Sequence, residues 1–306
     1  MTQPFEFAVA TGGTASRAEW LDLVRAAEDL GYTAIHLNDH VAQPMAPLAA
    51  LGTAAAITST LRLGARVFNN DLRSPVLLAQ ETATLDVISD GRAELGLGAG
   101  WLAGDYRAAG VAFDSGPMRA ARLMESVRVL GPLLRGEALS WNGTHYHVEI
   151  ATPMTIVQKP AIPLTLGAAG PRLLAFAARH ADAVSITARS GPGGLTESDL
   201  TPQRLDEKVA LIRAAAGDRI DRLRLHHVVW ECMVTPRPEA VLNAYASAMG
   251  VPAAHLRERP GLLIGSVSQL VETLLARRER WGLSSVSVPD GSLRSFAPVI
   301  AALAGQ

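Results

Sequence analysis

Short runs of consecutive apolar residues alternate with longer segments of helical periodicity along most of the chain. The helical segments place apolar side chains three and four residues apart, as in the segment that Ser16 caps and Gly31 ends. Repeated strand and helix units predict a parallel sheet, and eight of them close naturally into a (β/α)8 TIM barrel. Eight apolar runs predict the barrel strands, at residues 5–10, 33–37, 61–68, 93–97, 162–166, 183–187, 225–233 and 285–288.

A doubly wound sheet would give a similar alternation of strands and helices. That fold usually needs fewer strands and often carries a dinucleotide fingerprint, which this chain lacks. No Pro-rich or Ser-rich linker and no repeat of fixed period divides the chain. We therefore predict that residues 1–306 form one TIM-barrel domain of the α/β class.

Three segments interrupt the alternation. Residues 137–150 predict a β-hairpin with Asn142 and Gly143 at its turn. Residues 101–117 follow the fourth strand, and residues 190–201, which are rich in Gly, Pro and Ser, follow the sixth. Loops after barrel strands form the active-site face, so we expect these last two segments to shape a ligand pocket. The hairpin could equally be an ordinary surface feature.

Polar and small residues follow several of the predicted strands. His40 comes just after the second strand, and its imidazole can give or take a proton near neutral pH. The glycines at 96, 98 and 100 would let the backbone approach a ligand and expose amide donors, although a tight loop needs glycine as well. Structural roles stay open: His40 as a hydrogen-bond partner, Asp39 as a cap, and Asn69-Asn70-Asp71 as a turn.

The order of these residues resembles the luciferase-like monooxygenase superfamily, and within it the chain is most similar to the F420-dependent oxidoreductases. The similarity covers nearly the whole chain and is densest over residues 18–182. The residues that carry it are Asp39-His40, the segment from Pro75 with Ala79-Gln80 and Thr84-Leu85-Asp86, Asp90-Gly91-Arg92, Gly98-Ala99-Gly100-Trp101, Gln158-Lys159-Pro160 and Gly170-Pro171.

The resemblance implies a luciferase-like barrel that binds coenzyme F420, or in the alternative FMN, at its C-terminal mouth. Asp39 would hydrogen-bond the deazaflavin ring or its side chain, and His40 would be the catalytic acid or base. The third strand would carry a cis peptide at Arg66-Val67 behind the ring, although Arg66 is larger than the residue expected there. Further cofactor contacts are expected at Phe68, Asn69, Gly98, Ala99, Gly100, Trp101, Ala168, Ala169, Gly170, Pro171 and Thr187, with the phosphate at residues 168–170 before a helix.

Composition limits the range of partners. The net charge is −1, and Lys159 and Lys208 are the two lysines among the 28 basic residues. The basic residues are scattered along the chain, whereas nucleic-acid binding requires them to cluster.

The single cysteine, Cys232, cannot form an internal disulfide, and His145 and His147 lack a convincing third metal ligand. Residues 1–7 lack the layout of a secretory signal, and no apolar stretch predicts a membrane span. We expect a cytoplasmic protein with a small-molecule substrate, without a metal, and, from the resemblance, a homodimer.

Three functions are consistent with the sequence. The first is an F420-dependent oxidoreductase that moves a hydride between C5 of the deazaflavin and a small organic substrate. Trp101 stands where F420-dependent sugar-phosphate dehydrogenases carry an acidic residue, which argues against a sugar-phosphate substrate. The second is an FMN-dependent two-component monooxygenase; a reductase partner is expected wherever the cofactor is supplied reduced. The third is a non-catalytic barrel that binds a flavin or deazaflavin.

Overall fold

Parallel strands form a closed ring in the computed structural model, which describes residues 3–191 and 194–305. The strands of the described part are β1 (Glu6–Thr11), β2 (Ala34–Leu37), β3 (Arg62–Ala65), β4 (Phe68–Asn69), β5 (Ala93–Gly98), β6 (Leu139–Asn142), β7 (His147–Ile150), β8 (Leu164–Ala168), β9 (Ala183–Ile186), β10 (Ser190–Gly191), β11 (Gly194–Leu195), β12 (Arg224–Val228), β13 (Glu231–Val234), β14 (Leu262–Gly265) and β15 (Leu283–Pro289). The helices are α1 (Arg17–Asp29), α2 (Pro47–Ile57), α3 (Pro75–Ile88), α4 (Ala103–Ala109), α5 (Gly116–Leu134), α6 (Pro171–His180), α7 (Pro202–Ala216), α8 (Pro238–Met249), α9 (Ala253–Arg257), α10 (Val267–Trp281) and α11 (Leu293–Leu303).

The ring confirms the predicted (β/α)8 barrel. Its strands lie in the order β3, β2, β1, β15, β12, β9, β8 and β5, and β5 pairs back to both β3 and β4. All pairings in the ring are parallel. The carboxyl ends of the strands therefore meet at one face, which we call the mouth.

The apolar core lies between the strands and the surrounding helices, as α1 illustrates. The Ser16 hydroxyl accepts the Glu19 N–H at 3.3 Å and caps the helix, and Trp20, Val24 and Ala27 are buried on one face. Burying a large apolar side chain contributes about 1.5–3 kcal/mol, so this stripe holds the helix on the barrel. In residues 3–191 and 194–305, the structure contains no helix with the length and apolar character needed to cross a bilayer.

The inside of the barrel is polar, whereas TIM barrels usually fill it with branched aliphatic side chains. His226 hydrogen-bonds the Ser185 hydroxyl at 2.8 Å and the Ser287 hydroxyl at 3.0 Å, and Ser287 also contacts His36 at 3.3 Å. These residues come from four different barrel strands, β12, β9, β15 and β2. His227, next to His226, faces the other way, toward Trp230, as the two-residue period of a strand predicts.

Two strand predictions were wrong in their extent. Residues 61–68 form two strands, β3 and β4, and the break between them lies at Arg66-Val67. Residues 225–233 also form two strands, because the chain leaves the barrel after Val228. β13 then pairs in parallel with β14 outside the ring, where α8 and α9 pack a small apolar cluster.

The described residues of the three segments that interrupt the alternation contain helices or strands. β6 and β7 form the predicted antiparallel hairpin, and the Glu125 carboxylate of α5 accepts the N–H groups of His145 and Tyr146 in its turn. Residues 101–117 contain α4, which the sequence pattern did not predict. Residues 190–201 contain the short pair β10 and β11; residues 192–193 of this segment lie outside the described residues.

Candidate functional site

The residues predicted to bind a cofactor gather at the mouth. Asp39 and His40 follow β2, Asn69 ends β4, and Gly98 ends β5. On the other side of the ring, Ala168 ends β8 and Thr187 follows β9. Since parallel strands place their carboxyl ends together, residues far apart in the chain line one concave face, where TIM-barrel enzymes hold their ligands.

Asp39 connects the loop after β2 to the segment around β4. Its carboxylate accepts the Asn69 N–H at 2.9 Å, and both of its oxygens face the Arg73 guanidinium, with Nη2 at 2.8 Å from Oδ1. Arg73 also lies over the Phe68 ring, 4.9 Å from its centre. A bidentate pair of this kind is strong and directional, so the backbone at Asn69 is held in place relative to β2. No motif in the sequence pointed to Arg73.

His40 has a buried carboxylate as its partner. Its Nδ1 lies 2.7 Å from Oδ2 of Asp105, and the second oxygen of Asp105 accepts the Val41 N–H at 3.1 Å. The Trp101 ring meets the imidazole edge-on, with the ring centres 5.9 Å apart. Asp105 lies on α4, and sequence reasoning missed it; the only available signal was its place in the segment after the fourth barrel strand.

The third barrel strand contains the cis peptide that the resemblance predicted, at Arg66-Val67. The Arg66 side chain turns into the barrel, where its guanidinium donates to Ser285 Oγ and to Glu94, each at 3.2 Å. Arg66 can therefore offer a ligand at the mouth its backbone, while its charge stays in the interior.

The glycines of β5 make room for packing within the barrel, and the predicted approach of the backbone to a ligand stays a prediction. A Cβ on Gly98 would lie 2.6 Å from Cγ2 of Val67, and one on Gly167 would lie 3.2 Å from the same atom. A Cβ on Gly96 would clash with the Ala65 carbonyl. The glycines thus form a hollow that receives the Val67 side chain.

Tyr106 of α4 ties together the loops after β4 and β5. Its hydroxyl contacts Asn69 Oδ1 at 3.2 Å, Asp71 Oδ2 at 3.0 Å and the Ala99 carbonyl at 3.2 Å. Gly100, at φ 71°, is required because a Cβ there would clash with the Tyr106 hydroxyl. Burial and the Asp71 carboxylate raise the pKa of Tyr106, so its hydroxyl remains protonated and keeps donating.

The start of α6 has the features of an anion site. Gly170 is the N-cap and gives no side-chain cap, Pro171 is the first helical residue, and Arg172 in the first turn is exposed. Free backbone N–H groups at a helix start attract negative charge, and the open space around Gly170 leaves room for a phosphate. Ala169 is half-buried beside it.

Thr187 lies next to this helix start. Its backbone N–H donates to the Ala168 carbonyl at 3.0 Å, and its own carbonyl accepts the buried Lys208 ammonium at 2.7 Å. Lys208 also donates to Asp199 at 2.7 Å, and this ion pair holds the segment after β9 in place. The backbone is thereby fixed where the hydroxyl of Thr187 could meet a ligand.

A cleft of about 430 Å³ opens beside the mouth. The loop after β4 forms one wall, and the segment between α4 and α5 forms another; Tyr146 of the hairpin also lines it. Arg122 also lines it and donates to Asp71 at 2.8 Å and to Asp114 at 2.7 Å. The cleft is large enough for a small organic molecule.

Residues 1–198 match the sequence model of the luciferase-like monooxygenase family. The chain belongs to this family, as the residue order around the mouth indicated.

Several relatives in the family carry names that refer to F420 or to a pterin. An F420-dependent glucose-6-phosphate dehydrogenase of Nakamurella multipartita is 32% identical over 227 residues, which are 68% of this chain and 66% of that protein. A 5,10-methylenetetrahydromethanopterin reductase of Archaeoglobus fulgidus is 33% identical over 288 residues, or 90% of this chain and 80% of that protein. The chain spans between 52% and 66% of the length of the glucose-6-phosphate dehydrogenases that it matches.

Solved structures share the fold over nearly the whole chain. A coenzyme F420-dependent tetrahydromethanopterin reductase from Methanopyrus kandleri has a TM-score of 0.77 at 19% identity, covering 98% of this chain and 100% of that one. An F420-dependent secondary alcohol dehydrogenase also has a TM-score of 0.77, at 18% identity and with 98% and 99% coverage. A monooxygenase from Streptomyces bottropensis has a TM-score of 0.75 at 21% identity, covering 97% and 99%.

Proposed function

We propose that this protein is an F420-dependent oxidoreductase that transfers a hydride between the deazaflavin and a small organic substrate. The observation that carries the proposal is His40 at the mouth, with one ring nitrogen bound to buried Asp105 and the ring 28% exposed. A protonatable group held at a ligand-binding face suits the proton that accompanies a transferred hydride. The names of the relatives favour F420 as the cofactor.

The residues of the mouth fit such a cofactor. The start of α6 at Gly170 would hold its phosphate, and the backbone at Val67 and Asn69 would lie against the ring. When bound, a deazaflavin accepts or donates a hydride at C5 and supplies the redox chemistry. The chain's part is to orient both reactants, exclude water, and hold or accept a proton at His40.

The substrate would have a largely apolar body. Residues 101–118 expose large apolar side chains at the mouth, although such side chains are usually covered in a soluble protein. Arg73 and Arg122, which flank the adjacent cleft, are already bound to carboxylates and are poorly placed to take a phosphate. The apolar side chains are Trp101, Leu102, Val111, Phe113 and Met118.

A binding titration tests the cofactor. Purified protein would be titrated in parallel with F420 and FMN, alone and with Gly170→Glu. We expect F420 to bind preferentially, and the glutamate to weaken it about tenfold or more, because a carboxylate at the helix start repels the phosphate. Gly116→Glu is the matched control, since Gly116 also starts a helix and has open space around it.

The outcomes distinguish the candidate functions. Preference for FMN, followed by oxygen consumption with reduced FMN, would replace the proposal with a two-component monooxygenase. The monooxygenase from Streptomyces bottropensis shares this fold. Tight F420 binding without turnover of any alcohol or carbonyl compound would indicate a binding protein. Equal weakening by both glutamate variants would exclude the start of α6 as the phosphate site.

A further inference from the structure

The carboxylates around the mouth differ in the cations they contact. Four of these carboxylates are each bound to an arginine or a lysine: Asp39, Asp71, Asp114 and Asp199. Asp105 is only 5% exposed, yet among the described residues its only charged or chargeable partner within 4.0 Å is His40. A buried carboxylate is costly without a partner, so its placement against an imidazole needs a reason.

We propose that Asp105 is a positioning residue that fixes the tautomer and direction of His40 for proton transfer; this rests on the proposed function. A carboxylate only accepts hydrogen bonds, so the His40 nitrogen 2.7 Å away, Nδ1, must carry the hydrogen. The neutral imidazole then has its lone pair on Nε2. No protein partner for Nε2 is found in residues 3–191 and 194–305, and this nitrogen serves the substrate.

The neighbours of Asp105 prevent the pair from rotating. The second carboxylate oxygen accepts the Val41 N–H at 3.1 Å. The backbone of the residue that follows His40 therefore holds the carboxylate in place. Trp101 meets the imidazole edge-on at an interplanar angle of 88°. The imidazole is therefore held through Nδ1 and against Trp101.

The pair can accept the proton when the substrate is oxidised and return it when the substrate is reduced. When a substrate hydroxyl group is oxidised, a bound deazaflavin would supply the acceptor for the hydride that leaves the carbon, and the hydroxyl proton would pass to Nε2 of His40. The imidazolium keeps its Nδ1–H on Asp105, whose negative charge stabilises it. In reduction, Nε2–H gives its proton to the carbonyl oxygen as the hydride arrives at carbon.

A purely structural role for Asp105 makes a different prediction. If the carboxylate only held the loop through Val41, Asp105→Asn would leave the tautomer of His40 unchanged, as any other small change in α4 would. An asparagine can still accept the Val41 N–H through its oxygen, but its NH2 group then faces His40 and requires Nδ1 to accept. Asp105→Asn should therefore move the hydrogen of the imidazole from Nδ1 to Nε2. Tyr106→Phe, on the same helix without a bond to His40, is the matched control.

Long-range 1H–15N NMR of histidine-labelled protein, recorded where the imidazoles are neutral, reads the tautomer directly. His40→Gln identifies the His40 signal among the eight histidines. We expect Nδ1–H in the wild type and in Tyr106→Phe, and Nε2–H as the main form in Asp105→Asn. An Nε2–H tautomer in the wild type, or an unchanged tautomer in Asp105→Asn, would overturn the proposal.

A kinetic measurement separates this inference from the proposed function. In single-turnover assays with F420 and a panel of secondary alcohols, Asp105→Asn should slow hydride transfer about 10²–10⁴-fold and leave F420 affinity within about twofold. Unchanged hydride transfer would refute the positioning role. If F420 does not bind to the wild type, the proposed function fails, whereas the NMR result still decides how Asp105 controls His40.

Discussion

At the scale of the residue, the main feature is an ionised carboxylate inside the barrel. Glu94 lies within 2.6 Å of Arg62 Nε and 3.2 Å of Arg66 Nη2. Burial opposes its charge, but His36, whose Nε2 lies 3.6 Å from Oε2, and the two guanidinium groups outweigh burial and hold the pKa of Glu94 well below its ordinary value. Removing one partner of such a buried pair typically costs about 3–5 kcal/mol, so the interior is sensitive to single changes.

His36 makes the stability of the protein depend on pH. Burial and the nearby Arg66 lower the pKa of His36 from 6.5 to about 4. Between these two values the unfolded chain binds a proton that the folded protein excludes, so the free energy of unfolding falls as the pH drops from 6.5 toward 4. We expect His36→Asn, which keeps a polar group near Ser287, to reduce this loss by up to about 3 kcal/mol.

Urea unfolding of both proteins across this pH range checks the prediction. Above pH 7 the imidazole is neutral in both states, so the difference between the two proteins there reports packing alone. Parallel stability curves for wild type and His36→Asn down to pH 4 would show that His36 does not carry the effect.

At the scale of the element, four strands meet around one side chain. Val67 lies between β3 and β4 and fills the hollow formed by Gly98 of β5 and Gly167 of β8. The same position joins the interior to the mouth, because Arg66 turns inward and Phe68 continues toward Asn69. The geometry of this part of the mouth therefore depends on the packing beneath it.

Gly98→Ala tests this packing. The added methyl group would lie 2.6 Å from Val67 Cγ2, and we expect it to destabilise the protein by about 1–3 kcal/mol through overpacking. Val67→Ala in the same chain removes the clashing atom. The double variant should then be more stable than the sum of the single effects by at least about 0.5 kcal/mol, measured by urea unfolding. Additive effects would show that the two side chains do not compete for one space.

At the scale of the whole molecule, the outer face of one helix has an unusual composition. α2 has no charged residue over its eleven positions, and its exposed side chains include Ala49, Thr53 and Ala56. On the neighbouring α3, Leu77 and Ile88 are more than half exposed. Small and apolar side chains at a surface allow close packing of helices, so we propose that the protein forms a homodimer through α2 and α3.

Ala56→Glu combined with Ile88→Glu tests the homodimer. Each subunit would bury two carboxylates at a symmetric interface, where they would lie near the same carboxylates of the second subunit. The desolvation and repulsion of these charges oppose association. We expect sedimentation velocity to show a monomer for the double variant and a dimer for the wild type. Met249→Glu, an exposed apolar position on α8, is the control and should leave the dimer intact. A wild-type monomer, or a dimeric double variant, would contradict the proposal.

The sequence by itself determined the barrel, the face of its mouth and the family. Strand and helix periodicities are local, and the carboxyl ends of parallel strands must meet, so His40, Asn69 and Gly170 could be placed without coordinates. Even the opposite directions of His226 and His227 follow from the period of a strand.

Only the tertiary structure decided which side chains meet. His40 and Asp105 are 65 positions apart, and Arg66 reaches Ser285 across 219 positions. The choice between partners at such distances depends on how strands and helices pack in space, which local periodicity does not encode. For the same reason the exit of β13 from the barrel and the hollow around Val67 were invisible in the sequence. Contacts of this kind, formed between distant segments, turn a barrel with a histidine at its mouth into a candidate catalytic site.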